Sequence, residues 1–268
     1  MKSTDAGKLP SALERMTEIL RECGDKKIAV FLDYDGTLTP IVRRPEDAVM
    51  SREMRDTVTR LTRSHTVAII SGRDLKDVRS LVDIEGIYYA GSHGFDIQAP
   101  DGHRIEVDRA AGSLEDLDRA EQKLRNSLAD FDGVQIERKR YSIAVHYRRA
   151  RETDVEKVSN IIDEVKEEFP GLRRSSGKKV YELQPDVAWN KGEALLWLLE
   201  ELVSAGRDMA PFYIGDDTTD EDAFSVLADR GIGIVVRDEP RDTKAKYALD
   251  DVEQVRSFLE KLASLGNE

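Results

Sequence analysis

A chain of 268 residues, 40% of them hydrophobic, has room for one large α/β unit or two smaller domains, and enough apolar material for a core. Its formal net charge of −12 excludes a general nucleic-acid or anionic-membrane binder, because both partners would be repelled; a phosphorylated small molecule then needs local positive charge or a bound cation. The lone cysteine, Cys23, excludes an internal disulfide and fits a reducing, cytoplasmic setting, and the sequence has neither a run of about 18 apolar residues nor the apolar stretch of a signal peptide.

In chain order, Ser11 and Glu14 form a capping-box pattern ahead of Leu13, Met16 and Leu20, which predicts a first helix near 11–22. Ile28 to Leu32 is continuously apolar, as suits a strand buried on both faces of a parallel sheet, and it ends at Asp33-Tyr34-Asp35-Gly36. Ser51 caps a helix bearing Met54, Val58 and Leu61. Val67 to Ile70 is a second buried strand before Ser71-Gly72-Arg73. Asp74 caps the next helix, and Ile87 to Ala90 is a third strand ending at Gly91-Ser92-His93-Gly94. This alternation predicts a doubly wound α/β core.

The period changes near residue 105. Leu114, Leu117, Leu124 and Leu128 mark an amphipathic helix, and Tyr141 to Arg148 alternates as a half-exposed strand. A helix with Val155, Val158, Ile162 and Val165 and a strand over Val180 to Gln184 complete a small α+β insert at 105–186, leaving 1–104 and 187–268 as the core. After Pro185 the buried pattern returns. Asn190-Lys191-Gly192 opens a Leu-rich helix, Phe212 to Ile214 is a strand ending at Gly215-Asp216-Asp217, Ile232 to Val236 is the last core strand, and Val252 to Leu262 a closing helix.

Two acidic clusters carry the chemistry. Residues two apart in an extended segment point the same way, so Asp33 and Asp35 can converge at the carboxyl end of a buried strand, where open α/β sheets bind ligands. Gly36 allows the sharp turn. Alone, this motif also fits a polar loop with a turn glycine. Gly215 to Asp222 is the second cluster and alone fits a solvated acidic loop. At one sheet edge, however, the carboxylates would repel one another unless a hard cation such as Mg²⁺ joined them. Lys191 at a helix N-terminus and the Ser71-Gly72-Arg73 hydroxyl and N–H groups supply anion-binding partners. Together the parts predict phosphoryl transfer: Asp33 attacks phosphorus, Asp35 serves as general acid and base, and Mg²⁺, Lys191 and Ser71 neutralise the equatorial oxygens.

These four motifs, in this order from Asp33 to Asp220, resemble those of the haloacid dehalogenase superfamily. The resemblance implies a Rossmann-like core, Mg²⁺ and an aspartate nucleophile, with Asp33, Asp35 (through its backbone carbonyl) and Asp216 on the metal and Asp217 or Asp220 in support. Leu32 to Leu38, Ser71-Gly72-Arg73, Gly91-Ser92-His93-Gly94, Glu137, His146-Tyr147-Arg148, Glu182-Leu183-Gln184-Pro185, Asn190-Lys191-Gly192 and Gly215 to Phe224 are similar, over nearly the whole chain, to the trehalose-6-phosphate phosphatases. That resemblance implies a stand-alone phosphatase whose insert is a substrate-selecting cap. The implied substrate contacts are Gly36, Thr37, Gly72, Arg73 and His93 in the core, and Glu137, Lys139, Arg148, Lys178 and Glu182 in the cap.

The expected partner is therefore a small sugar phosphate, with a monomeric protein and no nucleic-acid or membrane partner. The rival substrates are the phosphates of sucrose, glucosylglycerol or mannosylglycerate. A phosphotransferase or mutase on the same core, and a non-enzymatic receiver-like module, are the rival classes. Asp35 and the large insert speak against the receiver.

Overall fold

The polypeptide divides into two compact units, Met1–Ile105 with Trp189–Glu268 and Glu106–Ala188. The computed structural model describes residues 3–42, 44–106, 112–177, 179–206, 208–237 and 240–265. The first unit begins with β1 (Thr4–Asp5), β2 (Lys27–Leu32), β3 (Thr66–Ile70), β4 (Tyr88–Gly91), β5 (Asp96–Gln98) and β6 (Arg104–Glu106). The second unit holds β7 (Gln135–Lys139), β8 (Ser142–His146), β9 (Leu172–Gly177) and β10 (Val180–Pro185). The chain then returns with β11 (Met209–Gly215), β12 (Ile232–Val236), β13 (Asp242–Thr243) and β14 (Tyr247–Leu249).

An eight-stranded sheet runs β14-β12-β11-β2-β3-β4-β5-β6, parallel from β14 to β4, with β5 antiparallel to β4. The fold is α/β with a mainly parallel central sheet. The short pair β1 and β13 lies apart from it. The chain leaves β2 toward β3 on one side, while β11 lies on the other, so β2 and β11 flank the point where the winding reverses. Ligands bind in the crevice at such a point. The register places Leu32 beside Ile214, and the Asp33 N–H donates to the Ile214 carbonyl at 2.9 Å. Both acidic segments therefore leave the sheet at the same edge.

The central strands are apolar because both faces are covered. Val30, Leu32, Ile69, Phe212 and Ile214 share one buried cluster with Met54, Val58 and Phe258 from the helices. Each such burial contributes about 1.5–3 kcal/mol, which gives the edge a firm base. The helix Arg52–Leu61 starts where the Ser51 hydroxyl accepts from the Met54 N–H at 3.1 Å, and Leu75–Val82 where Asp74 accepts from the Lys76 N–H at 2.9 Å.

Several expectations need correction. The first helix is Met16–Cys23 and does not begin at Ser11. Ser11 bridges Ala248 at the sheet edge, where Ala12 N–H donates to the Ala248 carbonyl and Ala248 N–H to the Pro10 carbonyl, and its own carbonyl accepts from the Arg15 N–H at 3.1 Å, so residues 12–15 form a turn that leads from the sheet edge into the helix. Ile232–Val236 is not the last core strand, since β14 pairs parallel beyond it.

In the second unit the sheet order is β7-β8-β10-β9, all antiparallel, with the helices Leu114–Ser127 and Glu152–Glu168 packed on Ile143, Val145 and Leu183. β8 is not half-exposed: Ser142 to Val145 are all buried. The strand is central, and its register puts the short side chains of Ser142 and Ala144 among the longer Lys139, Glu137 and Glu182. No helix among the described residues is long and apolar enough to cross a membrane.

Candidate active site

Asp33 sits one residue past β2 with 4% of its surface exposed. Its Oδ1 accepts from Lys191 Nζ at 2.8 Å, and the same ammonium donates to Asp220 Oδ1 at 2.7 Å. Lys191 is the first residue of the helix Lys191–Ser204, which the Asn190 side chain caps by accepting from the Glu193 N–H at 2.9 Å. The cap fixes where that helix begins, and so where the ammonium points.

Asp220 is held by three donors. Tyr213 OH reaches its Oδ1 at 2.6 Å alongside Lys191, and the Asp217 N–H reaches its Oδ2 at 2.8 Å. Asp33, Asp216 and Asp220 each bring a carboxylate oxygen within 4.8 Å of the others. Asp216 is buried, and its Oδ1 has no hydrogen-bond partner. Gly36 has φ of +79°, and a Cβ there would collide with the Asp216 carboxylate, so the turn after Asp35 packs directly on this acid.

The electrostatics follow from burial. Loss of water pushes Asp33 up to about 7, with Asp220 adding to the rise and Lys191 opposing it. Asp216 is raised to about 8, first by burial and then by Asp33 and Asp220. Burial pulls Lys191 down, but the Asp220 and Asp33 carboxylates outweigh it and hold the ammonium above the ordinary lysine range. Tyr213 is pushed well up by burial and by Asp220, so it remains a donor. A cluster with more buried carboxylates than cations, one oxygen of which lacks a partner, suits a hard divalent cation.

Ser71, past β3, is buried, and its Oγ accepts from the Arg73 N–H at 3.2 Å. The Ser71 carbonyl accepts from the His93 N–H at 2.9 Å. His93 has φ of +58°, and its ring lies against Gly72, where a Cβ would press on the imidazole. Thr37 Oγ1 and Ser92 Oγ, in the loops after β2 and β4, are buried without partners, as Asp216 Oδ1 is. Unpaired buried oxygens at one edge indicate a place for a bound group.

Two of the expected core residues are engaged otherwise. Asp217, expected at the metal, turns its Oδ1 to the Thr218 N–H at 2.6 Å as an N-cap and stands outside the carboxylate group. Arg73, expected at the substrate, spends its guanidinium on Asp35, Asp77 and the Pro45 carbonyl. In the insert, Glu137, Lys139 and Glu182 share one sheet face by register. Lys139 pairs with Glu182 at 3.8 Å, Ser142 Oγ donates to Glu182 at 2.6 Å, and Glu137 pairs with His146 at 2.9 Å. Arg148 lies exposed in the turn beyond β8, and Lys178 lies outside the described residues. Tyr213 and Ser142 were not anticipated. Their signals were a tyrosine inside the apolar run before the acidic loop and a small hydroxyl in an alternating strand.

With the carboxylates, lysine and serine in place, the comparison with known proteins is decisive. The trehalose-phosphatase family profile matches residues 31–253, which is most of the chain. The chain belongs to the trehalose-phosphatase family. Trehalose 6-phosphate phosphatase RA3 of Zea mays is 41% identical over 96% of this chain and 75% of its own length. A trehalose-phosphate phosphatase of Mycobacterium bovis is 44% identical over 88% of this chain and 61% of its own. Among solved structures, a trehalose-6-phosphate phosphatase related protein superposes with a TM-score of 0.76 at 27% identity, over 89% of this chain and 98% of that one. The C-terminal domain of Candida albicans trehalose-6-phosphate phosphatase shares the fold at 24% identity, with a TM-score of 0.75, over 96% of this chain and 98% of that one.

Proposed function

We propose that this chain hydrolyses trehalose 6-phosphate to trehalose and phosphate through a phosphoryl group held covalently on Asp33. The observation that carries the reading is the buried Asp33–Lys191–Asp220 chain beside the unpartnered Asp216 oxygen, at the switch point of the sheet. The relatives named as trehalose-phosphate phosphatases support the choice of substrate.

In the first half-reaction an Asp33 oxygen bonds phosphorus as the ester P–O bond breaks, and a proton on Asp35 passes to the departing sugar oxygen. In the second, a water oxygen bonds phosphorus as the Asp33–P bond breaks, and a proton from that water passes to Asp35. The cycle returns both aspartates to their starting states. Lys191 holds Asp33 in place and offers its remaining N–H to a phosphate oxygen, with the Ser71 hydroxyl as a further donor.

Asp33, Asp216 and the Asp35 carbonyl would hold Mg²⁺, while Asp220, with three donors already, serves Lys191. Bound Mg²⁺ supplies charge neutralisation for the phosphoryl oxygens. Uncatalysed monoester hydrolysis is slow enough that accelerations up to about 10²¹ are needed, which a nucleophile without such stabilisation does not reach. The insert's polar face, with Glu137, Lys139, Ser142 and Glu182, would take the sugar hydroxyls through charge-assisted hydrogen bonds.

The test is phosphate release from a panel of trehalose, sucrose, glucosylglycerol and mannosylglycerate phosphates, each with and without EDTA. Preferential, EDTA-sensitive hydrolysis of the trehalose ester is expected. Equal rates across the panel reject the substrate, and undiminished rates in EDTA reject the metal.

A further inference from the structure

Arg73 follows the serine motif, a position at which a guanidinium reads most simply as a phosphate ligand. Its hydrogen bonds do not fit that role. Nε donates to Asp35 Oδ2 and Nη2 to Asp35 Oδ1, both at 2.7 Å, which forms a two-point fork on one carboxylate. Nη2 also donates to the Pro45 carbonyl at 2.8 Å, and Nη1 to Asp77 at 3.0 Å. Four of the five N–H groups are thereby spent on the protein. The guanidinium carbon lies 5.3 Å from the Tyr34 ring centroid, and the side chain is only 10% exposed. One remaining N–H cannot grip a phosphate bidentately, which is the arrangement that makes arginine useful for that anion.

The carboxylate on the other side of the fork is 44% exposed. Asp35 hangs from a loop turned by Gly36, where a free aspartate would sample several rotamers. The fork removes that freedom, and it is anchored three ways: on the helix Leu75–Val82 through Asp77, on the segment after Thr39 through Pro45, and on the ring of Tyr34. Tyr34 is itself fixed, because its OH donates to the Ala48 carbonyl at 2.8 Å. A two-point bond sets the plane of a carboxylate as well as its position, and proton transfer to a departing oxygen depends on both.

We propose that Arg73 is the positioning residue of Asp35, clamping the general acid and base in its working orientation rather than binding the phosphate. This rests on the phosphatase reading above and adds a role to its site.

The experiment compares Arg73→Gln, Arg73→Lys and Asp35→Asn with the wild type in single turnover on two esters. Trehalose 6-phosphate has an alkoxide leaving group that needs a proton; p-nitrophenyl phosphate releases a stable phenolate that does not. Arg73→Gln is expected to slow the first step about 10²-fold on trehalose 6-phosphate but no more than about threefold on the p-nitrophenyl ester, with Ki for inorganic phosphate within about twofold of wild type. Arg73→Lys keeps the charge but loses the fork, and is expected to show the same split, which separates geometry from charge. If the Gln variant melts below the assay temperature, the Lys variant carries the test.

An equal fall on both esters with a raised Ki for phosphate overturns the proposal and makes Arg73 a phosphate ligand; no fall on either ester also overturns it. Asp35→Asn must show the split too. If it does not, the acid assignment fails, and the phosphatase mechanism with it, whatever Arg73 does.

Discussion

The Lys191–Asp33 pair of the core and the Glu137–His146 pair of the insert lie at very different depths. At the core edge the side chains of Lys191 and Asp33 are 3% and 6% exposed and bonded to each other, whereas on the insert the Glu137 and His146 pair is 54% and 40% exposed. Burial makes each core charge costly to leave unpaired and its position hard to change. Exposure makes the Glu137–His146 contact weaker and easier to re-tune, with Lys139 and Glu182 in between at 21% and 20% exposed. A reacting atom must be placed within a fraction of an ångström, while a sugar hydroxyl tolerates more.

That contrast breaks first at Asp33. Asp33→Asn should lower phosphate release by about 10⁴-fold or more on every ester, since it replaces the carboxylate proposed to attack phosphorus with a neutral amide. Residual turnover near the wild-type rate would remove the nucleophile assignment. Next is Lys191→Met, which strands two buried carboxylates. The loss should be about 3–5 kcal/mol of stability, seen as a lower midpoint in urea, together with loss of activity. A variant as stable as wild type would mean these charges are not paired in solution.

A third test uses pH. Asp33 and Asp216 stand near 3.8 when unfolded and at about 7 and about 8 when folded. The unfolded chain therefore holds fewer protons between those values. The stability these groups contribute is complete below about pH 4 and is lost progressively as the pH rises from there to the folded values of about 7 and about 8. Metal-free protein should melt lower at pH 8 than at pH 5.5, and Mg²⁺ should raise the melting temperature more at pH 8, where both carboxylates ionise readily. A Mg²⁺ effect independent of pH would separate the metal from these two acids.

The smallest effect belongs to the insert. Glu182→Gln weakens the contacts of Ser142 and Lys139 and should raise KM for trehalose 6-phosphate about 3- to 30-fold, while p-nitrophenyl phosphate turnover stays within about twofold. Equal losses on both substrates would take Glu182 out of sugar recognition.

How far the sequence could be read follows the same division. Ile28 to Leu32 and Phe212 to Ile214 were legible as buried strands because both faces of a parallel strand are apolar, and the acids after them stood out by contrast. Ser142 and Ala144 were misread as exposed, because alternation cannot tell a central strand with short side chains from an edge strand. Ser11 does head a turn, its carbonyl accepting from the Arg15 N–H, but its capping pattern is local and does not show that regular helix begins only at Met16, after a segment bridged to Ala248 far along the chain. Asp217 and Asp220 could not be ranked from spacing. The short helical turn Thr218–Asp220 sends Asp220 inward to Lys191 and leaves Asp217 on the backbone.

Local patterns alone determined that this chain forms a parallel α/β core with an α+β insert, and which acids end its central strands, since hydrophobic period and strand-end chemistry are written in neighbouring residues. Only tertiary structure decided that Lys191, 158 positions from Asp33, would be its partner, and that Arg73 would face Asp35 rather than the expected substrate phosphate. Those pairings depend on which strands lie side by side and where each helix begins, and both are outcomes of packing the whole core at once.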